Sequence, residues 1–549
     1  MAGVCDPILS AQRVADTAAR WPHRRLTDVL DEVAQANPDR LAIIGTNSLT
    51  GREERLSYLQ LRHRVQRIAL GLVGLGVQPG DVVAWQLPNW WEFIALHLAC
   101  LRVGAVSNPL MPIFRERELR FMLGQSRAKV LVVPRSFRGH DYPAMVAGLR
   151  TELPALEHVL VVDGVDADGF ERRLLEYRWE DDFDPQREFT HRQPSPDDVI
   201  QLLYTSGTTG EPKGVMHTSN TLLAGTLAYA QALGLTEREV CYMASPLAHQ
   251  TGFMYGMLMP LLLRTRVVLQ DVWDARAAWE VIGAEKVSFT MGATPFLADL
   301  TDAPGHLPAG RNPLCTFVCG GAPIPRVLAR TANERLGVNV IAAWGMSECG
   351  VVTMTRPTDP PEKIFGTDGA ALPHSAVRVV DEAGAVVPPD TEGRLDVTGD
   401  FLFVGYLNRP QLYAVRDGLW FDTGDRARQD TDGYIRITGR AKDIIIRGGE
   451  NVPVAEVEAI LSRHPAVQDA AVVAMPDPRL GERGCAFVVL REGHTLDLPA
   501  LQTHFEAEKC ARQYVPERLE ILPAMPRTAS GKIQKFILRE QARALAPCA

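Results

Sequence analysis

The chain has 549 residues, with 58 Lys and Arg against 66 Asp and Glu, and a formal net charge of −8 at pH 7. This acidic balance argues against a general nucleic-acid binder, which would carry a basic excess. Its 46% hydrophobic and 23% charged residues are ordinary for a globular protein. The length exceeds what one simple core needs, so at least two domains are expected.

The N-terminal region contains no targeting or membrane signal that we can identify. Its first 25 residues lack a basic start followed by an apolar run, so no secretory signal is predicted. The most hydrophobic stretch, 90–106, contains Glu92, His97 and Arg102, which predicts a buried helix and no transmembrane segment. The nine scattered cysteines favour reduced thiols in a cytoplasmic protein.

The first half of the chain alternates helix-like and strand-like segments, which predicts an α/β fold. Apolar residues at helical spacing predict helices over 59–75 and 91–103, the second ended by Gly104 before a turn at Asn108-Pro109. Short apolar runs predict buried strands over 82–85, 129–134 and 158–163.

After Gly366 the pattern changes to short strands separated by turns, at 377–381, 393–397 and 433–437, which predicts a β-rich subdomain. A boundary is predicted within 439–452, where charged residues and paired glycines bracket an apolar run. A helix over 454–464 and a strand over 470–474 follow it. The remaining residues, about a hundred, suffice for a small α/β domain.

The sharpest local signal is a loop rich in glycine and hydroxyl residues, which follows the strand-like residues 199–203. Glycines let backbone N–H groups turn toward an anion, hydroxyls add donors, and Lys213 adds a positive charge for phosphate oxygens. The order is not that of the common P-loop, because Gly214 follows the lysine. The predicted phosphate-binding residues are Thr205, Ser206, Gly207, Thr208, Thr209 and Lys213.

A second candidate segment is Trp344-Gly-Met-Ser-Glu348, which follows the strand-like residues 338–343. A hydroxyl and a carboxylate on adjacent residues at a strand end can hold Mg²⁺, which prefers hard oxygen ligands shared with phosphates. Trp344 offers a flat face for a base or an acyl chain. Taken alone the segment is a weak signal, because surface glutamates are common.

Three further segments carry weaker signals. In 421–425 a turn is predicted to present Asp425, whose carboxylate suits the two hydroxyls of a ribose. Residues 439–443 and 447–451 combine charged side chains with paired glycines, and 526–532 form a predicted turn that projects Lys532. Taken singly, each of the three is more often a solvated loop than a site.

In this order, the segments resemble those of the adenylate-forming superfamily of acyl- and aryl-CoA synthetases, firefly luciferase and peptide-synthetase adenylation domains. The resemblance runs from Asn37 to Lys535 and covers nearly the whole chain. Within the superfamily the chain looks most like bacterial short- and medium-chain fatty acyl-CoA ligases and cyclohexanecarboxylate–CoA ligases. Residues 246–252, 291–296 and 319–323 carry that closer match.

The resemblance implies a role for each segment. The 205–213 loop would close over the β- and γ-phosphates of ATP, and Glu348 would bind Mg²⁺. Asp425 and Arg440 would lie at the ribose, and Lys532 would reach the substrate carboxylate and the α-phosphate. The further expected contacts with nucleotide or coenzyme A are Gly321, Ala322, Pro323, Trp344, Gly345, Ser347, Gly448 and Gly449.

The implied architecture is a large N-terminal domain of α/β subdomains plus a β-rich subdomain, and a small mobile α/β C-terminal domain. The first, residues 1–441, would bind ATP and the acyl group, and the second, residues 442–549, would carry Lys532. Lys442 occupies the hinge position of the family. Rotation about it would withdraw Lys532 after the first step and bring the Gly448-Gly449 loop to the thiol channel.

The region 247–260 bears on the choice of acid, and it contains no Asp or Glu. Amino-acid-activating relatives usually place an Asp nearby, so an amino acid is not expected. Phe253, Met254 and Met257 suggest an apolar pocket, which favours a medium-chain or alicyclic acid. His249 would be its polar tip and a catalytic candidate. The alternative for the two methionines is packing of a helix against the core.

The expected activity is therefore an AMP-forming acid–thiol ligation that consumes a small carboxylic acid, ATP and coenzyme A. Two alternatives stay open, an acyl-AMP ligase that loads the phosphopantetheine of a carrier protein and an aryl-CoA ligase. A non-catalytic nucleotide-binding protein is disfavoured, because Lys532, Glu348 and Asp425 are all present.

Overall fold

The described residues form an α/β structure with four large sheets and a two-stranded ribbon of Ser136–Phe137 and His140–Asp141. The computed structural model describes residues 5–205, 212–303, 307, 310–321, 324, 326–413, 415–416, 419–440, 445–447, 450–452, 454–477, 481–508, 514–528 and 531–545. The mixture of parallel and antiparallel sheets with helices confirms the predicted fold class.

Two sheets rich in parallel pairs make up most of the N-terminal part. The nine-stranded sheet has the spatial order Ala370–Ala371, Gly350–Met354, Asn339–Met346, Thr316–Gly320, Phe289–Gly292, Val240–Met243, Arg266–Gln270, Leu41–Asn47 and Arg52–Ser57. The six-stranded sheet has the order Lys213–Thr218, Val199–Thr205, Val106–Pro109, Val82–Trp85, Val130–Pro134 and His158–Val162. Parallel pairing aligns the carboxyl ends of neighbouring strands, which is where α/β sheets usually bind ligands.

Two smaller sheets are mainly antiparallel. The first, the predicted β-rich subdomain, contains Ser375–Val380, Gly393–Gly399, Val415–Arg416, Trp420–Gln429 and Ile435–Arg440. The second lies near the C-terminus and contains Ile445–Arg447, Glu450–Val452, Val467–Asp477, Gly481–Leu490 and Arg518–Ile521.

Helices connect the strands of the N-terminal sheets. The α-helices are Ala11–Thr17, Leu26–Ala36, Tyr58–Gly74, Trp91–Val103, Glu116–Ser126, Tyr142–Leu149, Pro185–Arg192, Ser219–Leu233, Met259–Leu262, Ala275–Glu285, Thr294–Asp302, Arg326–Leu336, Pro361–Gly366, Val454–Leu461, Leu498–Ala507 and Lys535–Ala544. Glu171–Glu176 and Gly252–Leu258 are π-helical, and the 3₁₀ segments are Ala18–Arg20, Arg150–Glu152, Trp179–Asp181 and Pro410–Leu412.

The two predicted N-terminal helices are confirmed, and local signals explain their ends. Helix Tyr58–Gly74 begins at a capping box, in which the Ser57 hydroxyl accepts the Gln60 N–H and the Gln60 side chain accepts the Ser57 N–H. Helix Trp91–Val103 ends at Gly104, which adopts φ +70°. That second helix is buried on almost every face, as predicted for 90–106.

The turn predicted at Asn108-Pro109 is wrong, because both residues belong to the buried strand Val106–Pro109. Its Ser107 pairs with Gln201 of a parallel strand distant in sequence. Pro109 is the last residue of the strand, so the run of paired residues stops there. Pairing with distant strands therefore overrode the local turn signal.

In the described part of the chain, four buried apolar clusters support the structure, and they divide along the chain. The largest, here called the principal core, draws on residues from Cys5 to Ile435, and a second draws on residues from Ile44 to Val340. The other two are built from residues after 444, in the part of the chain here called the C-terminal unit, described residues 445–545. Within the described chain, no helix is long and apolar enough to cross a bilayer.

Candidate active site

Glu348 lies just beyond the carboxyl end of strand Asn339–Met346, as the sequence predicts. It is only 6% exposed, and its Oε1 accepts a hydrogen bond of 2.6 Å from the Tyr406 hydroxyl. Its backbone carbonyl accepts the Phe403 N–H at 2.7 Å. Hydrogen bonds to its carboxylate and to its backbone carbonyl thus hold Glu348 in place.

His217 contacts the backbone of Ser347, the residue before Glu348. Its Nε2 lies 2.8 Å from the Ser347 carbonyl oxygen, and its Nδ1 lies 3.1 Å from the Thr221 hydroxyl. A carbonyl only accepts hydrogen bonds, so Nε2 carries a proton. Burial lowers the pKa of His217 to about 4, which keeps the ring neutral near pH 7. This fits the packing role expected for a buried histidine.

Trp344 and Asp425 form the second fixed contact of the site. Trp344 Nε1 donates to Asp425 Oδ2 at 2.9 Å, and the Asp425 N–H donates to the Thr423 hydroxyl at 3.1 Å. Asp425 is 6% exposed. Gly345, next to Trp344, allows the strand to fold back tightly, because a Cβ there would collide with the Gly350 carbonyl.

The turn predicted at 421–425 is wrong, because Asp425 lies inside strand Trp420–Gln429. The pairing with strand Gly393–Gly399 shifts register here, and Gly424 adopts φ +73°. The glycine signal therefore marks a bulge in a strand, which re-aims a side chain, and not a chain reversal. On its other side Asp425 pairs with Arg440 of strand Ile435–Arg440.

The predicted phosphate loop connects two paired strands. Thr205 ends strand Val199–Thr205, and Lys213 begins the antiparallel strand Lys213–Thr218, directly opposite it. Lys213 Nζ lies over the Tyr406 ring, 5.0 Å from its centroid. Ser206, Gly207, Thr208 and Thr209 lie outside the described residues.

Lys532 comes from the C-terminal unit and lies against the N-terminal sheet. Its Cε is 3.6 Å from the position that a Cβ on Gly321 would occupy, and Gly321 adopts φ +82°. A Cβ on Gly531 would lie 3.4 Å from Pro295. The structure thus brings Lys532 to the carboxyl end of strand Thr316–Gly320, next to Gly321, one of the expected contacts with nucleotide or coenzyme A.

His249 lies near Lys532 and is partly buried. Burial, with a smaller contribution from the Lys532 ammonium group, lowers its pKa to about 3. The imidazole is therefore neutral across the physiological range. Its Nδ1 accepts the Thr251 N–H at 3.3 Å, which fixes the start of the segment that follows.

The predicted acyl-pocket side chains, Phe253, Met254 and Met257, are fully buried in the π-helical segment Gly252–Leu258 and belong to the principal core. A Cβ added to Gly225 or to Gly350 would come within 3.1 Å of the Met254 side chain. These contacts fit the alternative interpretation of Met254 as a packing residue.

Sequence reasoning missed Tyr406, which contacts both Glu348 and Lys213. The local sequence offers only a glycine before an aromatic residue, which carries no functional signal by itself. Of the other predicted site residues, Ala322, Pro323, Lys442, Gly448 and Gly449 lie outside the described residues, as does the side chain of Arg440.

The donors around Glu348 fit Mg²⁺. This ion takes hard oxygen ligands, usually one or two carboxylates together with substrate phosphates and water. Glu348 supplies a carboxylate, and the adjacent Ser347 supplies a hydroxyl. Among the described residues no cluster of three or more His, Cys, Asp or Glu side chains could hold a metal by itself, so phosphate oxygens would have to complete the coordination.

Comparisons with known proteins point the same way as this geometry. The family model "AMP-binding enzyme" matches residues 30–407, and "AMP-binding enzyme C-terminal domain" matches 456–532. The chain is 37% identical over 523 residues to a medium-chain fatty-acid–CoA ligase of Escherichia coli, covering 95% of this chain and 91% of that protein.

Two further similarities extend this comparison, and the first of them names an aromatic acid. The chain is 33% identical over 539 residues to the 2-hydroxy-7-methoxy-5-methyl-1-naphthoate–CoA ligase of Streptomyces carzinostaticus, covering 96% of this chain and 94% of that one. The crystal structure of ATP-bound MatB from Rhodopseudomonas palustris superposes with a TM-score of 0.81 at 27% identity, covering 94% of this chain and 98% of that one.

Proposed function

We propose, from the premise that this chain belongs to the AMP-binding enzyme family and is an AMP-forming acid–CoA ligase, that it activates a medium-chain or alicyclic carboxylic acid. Its substrates are the acid, ATP and coenzyme A, and it uses Mg²⁺. The medium-chain relative supports the choice of acid, and the naphthoate relative makes an aryl acid the competing candidate.

The reaction has two steps. A carboxylate oxygen attacks the α-phosphorus of ATP, the bond to pyrophosphate breaks, and acyl-AMP forms. The coenzyme A sulfur then attacks the acyl carbon, the bond to AMP breaks, and the thioester forms. The first step brings two anions together, so positive charge must lie where negative charge develops. Bound Mg²⁺ would neutralise charge on the phosphate oxygens.

One observation carries the proposal, namely that the structure brings Lys532, Gly321 and His249 together. An ammonium group there can contact both the substrate carboxylate and the α-phosphate, which is the need of the first step. The Asp425 carboxylate, to which Trp344 donates a hydrogen bond, can accept hydrogen bonds from ribose hydroxyls. The Glu348 carboxylate can ligate the metal. Lys213 would contact the outer phosphates.

The proposed choice of acid depends on the charges of the side chains in residues 247–260. Residues 247–260 contain no Asp or Glu, so they offer no partner for a substrate ammonium group. Their histidine, His249, is neutral because its pKa is about 3, so it offers no cation for a second carboxylate. A buried charge without a partner is costly. The acid is therefore expected to carry a single carboxylate and an uncharged tail.

The second step would require Lys532 to move away. We place the hinge at Lys442, between domains 1–441 and 442–549, with the Gly448-Gly449 loop serving the thiol. The separate buried clusters of the C-terminal unit support this division, because a unit with its own core can turn as one body.

The experiment is pyrophosphate release with ATP and Mg²⁺ across pairs of acids that differ in one property. Octanoate and octanedioate differ in a second carboxylate, while 3-phenylpropanoate and phenylalanine differ in an ammonium group. Cyclohexanecarboxylate and benzoate differ in ring shape. Each is run with coenzyme A, with a phosphopantetheinylated carrier protein, and with neither.

The proposal expects coenzyme-A-dependent turnover that favours octanoate, 3-phenylpropanoate and cyclohexanecarboxylate over their partners. A preference for benzoate, and for larger flat acids, would mean that the substrate is an aryl acid. Turnover that needs the carrier protein would mean that the thiol acceptor is a carrier protein and not coenzyme A. A preference for octanedioate or phenylalanine would overturn the charge argument.

A further inference from the structure

The segment 403–407 ties two parts of the candidate site together. The Phe403 N–H donates to the Glu348 carbonyl at 2.7 Å, and the Leu407 N–H donates to the Gly214 carbonyl at 2.8 Å. The Met216 N–H donates to the Gly405 carbonyl at 3.0 Å. One short segment is thus bonded both to the candidate metal ligand and to the strand that begins at Lys213.

Gly405 makes this path possible. It adopts φ +130°, a conformation that favours glycine, and a Cβ there would lie 2.9 Å from the Ile8 side chain. The next residue, Tyr406, forms a bridge with Val215 and is only 2% exposed. The position of the Tyr406 ring is therefore fixed by backbone on both sides and by burial.

The Tyr406 side chain continues the same connection. Its hydroxyl donates to Glu348 Oε1 at 2.6 Å, and its ring face lies 5.0 Å from Lys213 Nζ. The hydroxyl is the donor in this bond, because a carboxylate only accepts hydrogen bonds. A carboxylate that accepts this bond is held in one rotation about its terminal torsion.

We infer that Tyr406 is a positioning residue, whose hydroxyl occupies Oε1 of Glu348 and so presents Oε2 to the metal of metal-bound ATP. The inference rests on the proposed function, which assigns Glu348 to the metal. Mg²⁺ demands near-ideal geometry, so a carboxylate free to rotate binds it less well. Residues that orient a metal ligand typically change metal affinity or activity by about 10–100-fold when mutated.

Tyr406→Phe tests this, because it removes the hydroxyl and keeps the ring under Lys213. The Mg²⁺ concentration at half-maximal pyrophosphate release is expected to rise about tenfold. The affinity of the ATP-bound protein for Mn²⁺, measured by electron paramagnetic resonance, should fall by the same factor. Binding of metal-free ATP in EDTA should not change.

Tyr413→Phe is the matched control. The Tyr413 hydroxyl donates to the Phe403 carbonyl at 3.1 Å, and its ring packs against the same Phe403 that contacts Tyr406. Loss of this partly buried hydroxyl is expected to lower the melting temperature without moving the Mg²⁺ midpoint. An equal midpoint shift in both tyrosine variants would reduce the role of Tyr406 to structure and overturn the inference.

Glu348→Gln separates this inference from the proposed function. It should raise the Mg²⁺ midpoint, and adding Tyr406→Phe to it should cause no further rise, because the carboxylate to be oriented is gone. A shift in Glu348→Gln without one in Tyr406→Phe overturns the positioning role alone. No shift in either variant overturns the assignment of Glu348 to the metal together with this inference.

Discussion

The two halves of the candidate site are held in different ways. On the N-terminal side, Glu348 and Asp425 are buried, and each accepts a hydrogen bond from an aromatic side chain, Tyr406 and Trp344 respectively. On the C-terminal side, Lys532 is held by backbone and hydroxyl contacts with Thr528 of its own unit. The Thr528 N–H donates to the Lys532 carbonyl at 2.7 Å, and the Lys532 N–H donates to the Thr528 hydroxyl at 3.0 Å.

Under the proposed function, this difference separates a preorganised half from a half that the C-terminal unit would deliver. Groups fixed before reaction cost no reorganisation when charge develops, which suits residues that bind nucleotide and metal in both steps. A lysine held within its own unit keeps that support when the unit moves, which suits the one-step role proposed for Lys532. Four predictions test this comparison.

The largest effect is expected from removing the positive charge of Lys532. Lys532→Ala should slow acyl-adenylate formation by about 10²–10³-fold, because the ammonium group no longer offsets charge at the α-phosphate. Thioester formation from supplied acyl-adenylate should be unchanged, and single-turnover assays of each step measure both. Lys535→Ala is the control, since Lys535 pairs with Glu458 at 2.7 Å inside the C-terminal unit. Equal loss in both steps would remove Lys532 from the first step.

A disulfide between the two halves tests whether the C-terminal unit must move away before thioester formation. A Cβ on Gly531 would lie 3.7 Å from Ala293 Cβ, within the range of about 3.5–4.5 Å that disulfides need. Oxidised Ala293→Cys/Gly531→Cys should still form acyl-adenylate, but thioester formation should fall by roughly 10²-fold and recover on reduction. The single variant Gly531→Cys controls for strain at φ +84°. Undiminished thioester formation in the cross-linked protein would contradict the idea that the C-terminal unit must move between the two steps.

Asp425→Ala tests the fixed half with a smaller expected effect. Loss of a ribose contact worth about 1.5–3 kcal/mol should raise the KM for ATP by roughly 10–100-fold, with little change for the acid. Asp422→Ala is the control on the same strand, where Asp422 pairs with Arg416 at 3.0 Å. Steady-state kinetics with ATP and with the acid varied in turn measure both values. An unchanged KM for ATP would reassign Asp425 to support of Trp344.

Local patterns predicted the elements whose limits are set by local chemistry. The helices at 59–75 and 91–103 were predicted to within a residue or so of Tyr58–Gly74 and Trp91–Val103, because periodicity and a terminal glycine define them. The wrong turns, at Asn108-Pro109 and at 421–425, carry ordinary turn residues. Their outcome was decided by pairing with strands far away in sequence, which no local window contains.

The candidate site shows the same limit. Glu348 and Lys532 stand in segments that are weak signals singly, and the order of those segments along the chain pointed to them. No such order pointed to Tyr406, because its contact with Glu348 joins residues 58 positions apart and exists only once segment 403–407 lies beside both strands. The resemblance to a family supplied the roles, while the contacts that fix each side chain had to come from the structure.

The smallest expected effect concerns the principal core that supports the fixed half. His97 is fully buried, its Nδ1 lies 2.7 Å from the Ser107 hydroxyl, and its ring centroid lies 4.8 Å from that of Phe253. Burial lowers its pKa to about 3, below the value of about 6.5 in an unfolded chain. As the pH falls below about 6.5 the unfolded state binds the proton first, so stability present above that pH is lost toward pH 3.

Replacing His97 should therefore flatten the acid side of the stability profile. In His97→Asn the free energy of unfolding should fall less steeply between pH 6 and pH 4.5, by about 1 kcal/mol per pH unit. Urea unfolding at several pH values measures this slope. Ser107→Ala is the control, because burial lowers the pKa of His97, so this variant should lose stability yet keep the slope. Parallel profiles for His97→Asn and the unmodified protein would mean that the core is not closed over His97, and that the fixed half rests on a looser support than Glu348 and Asp425 suggest.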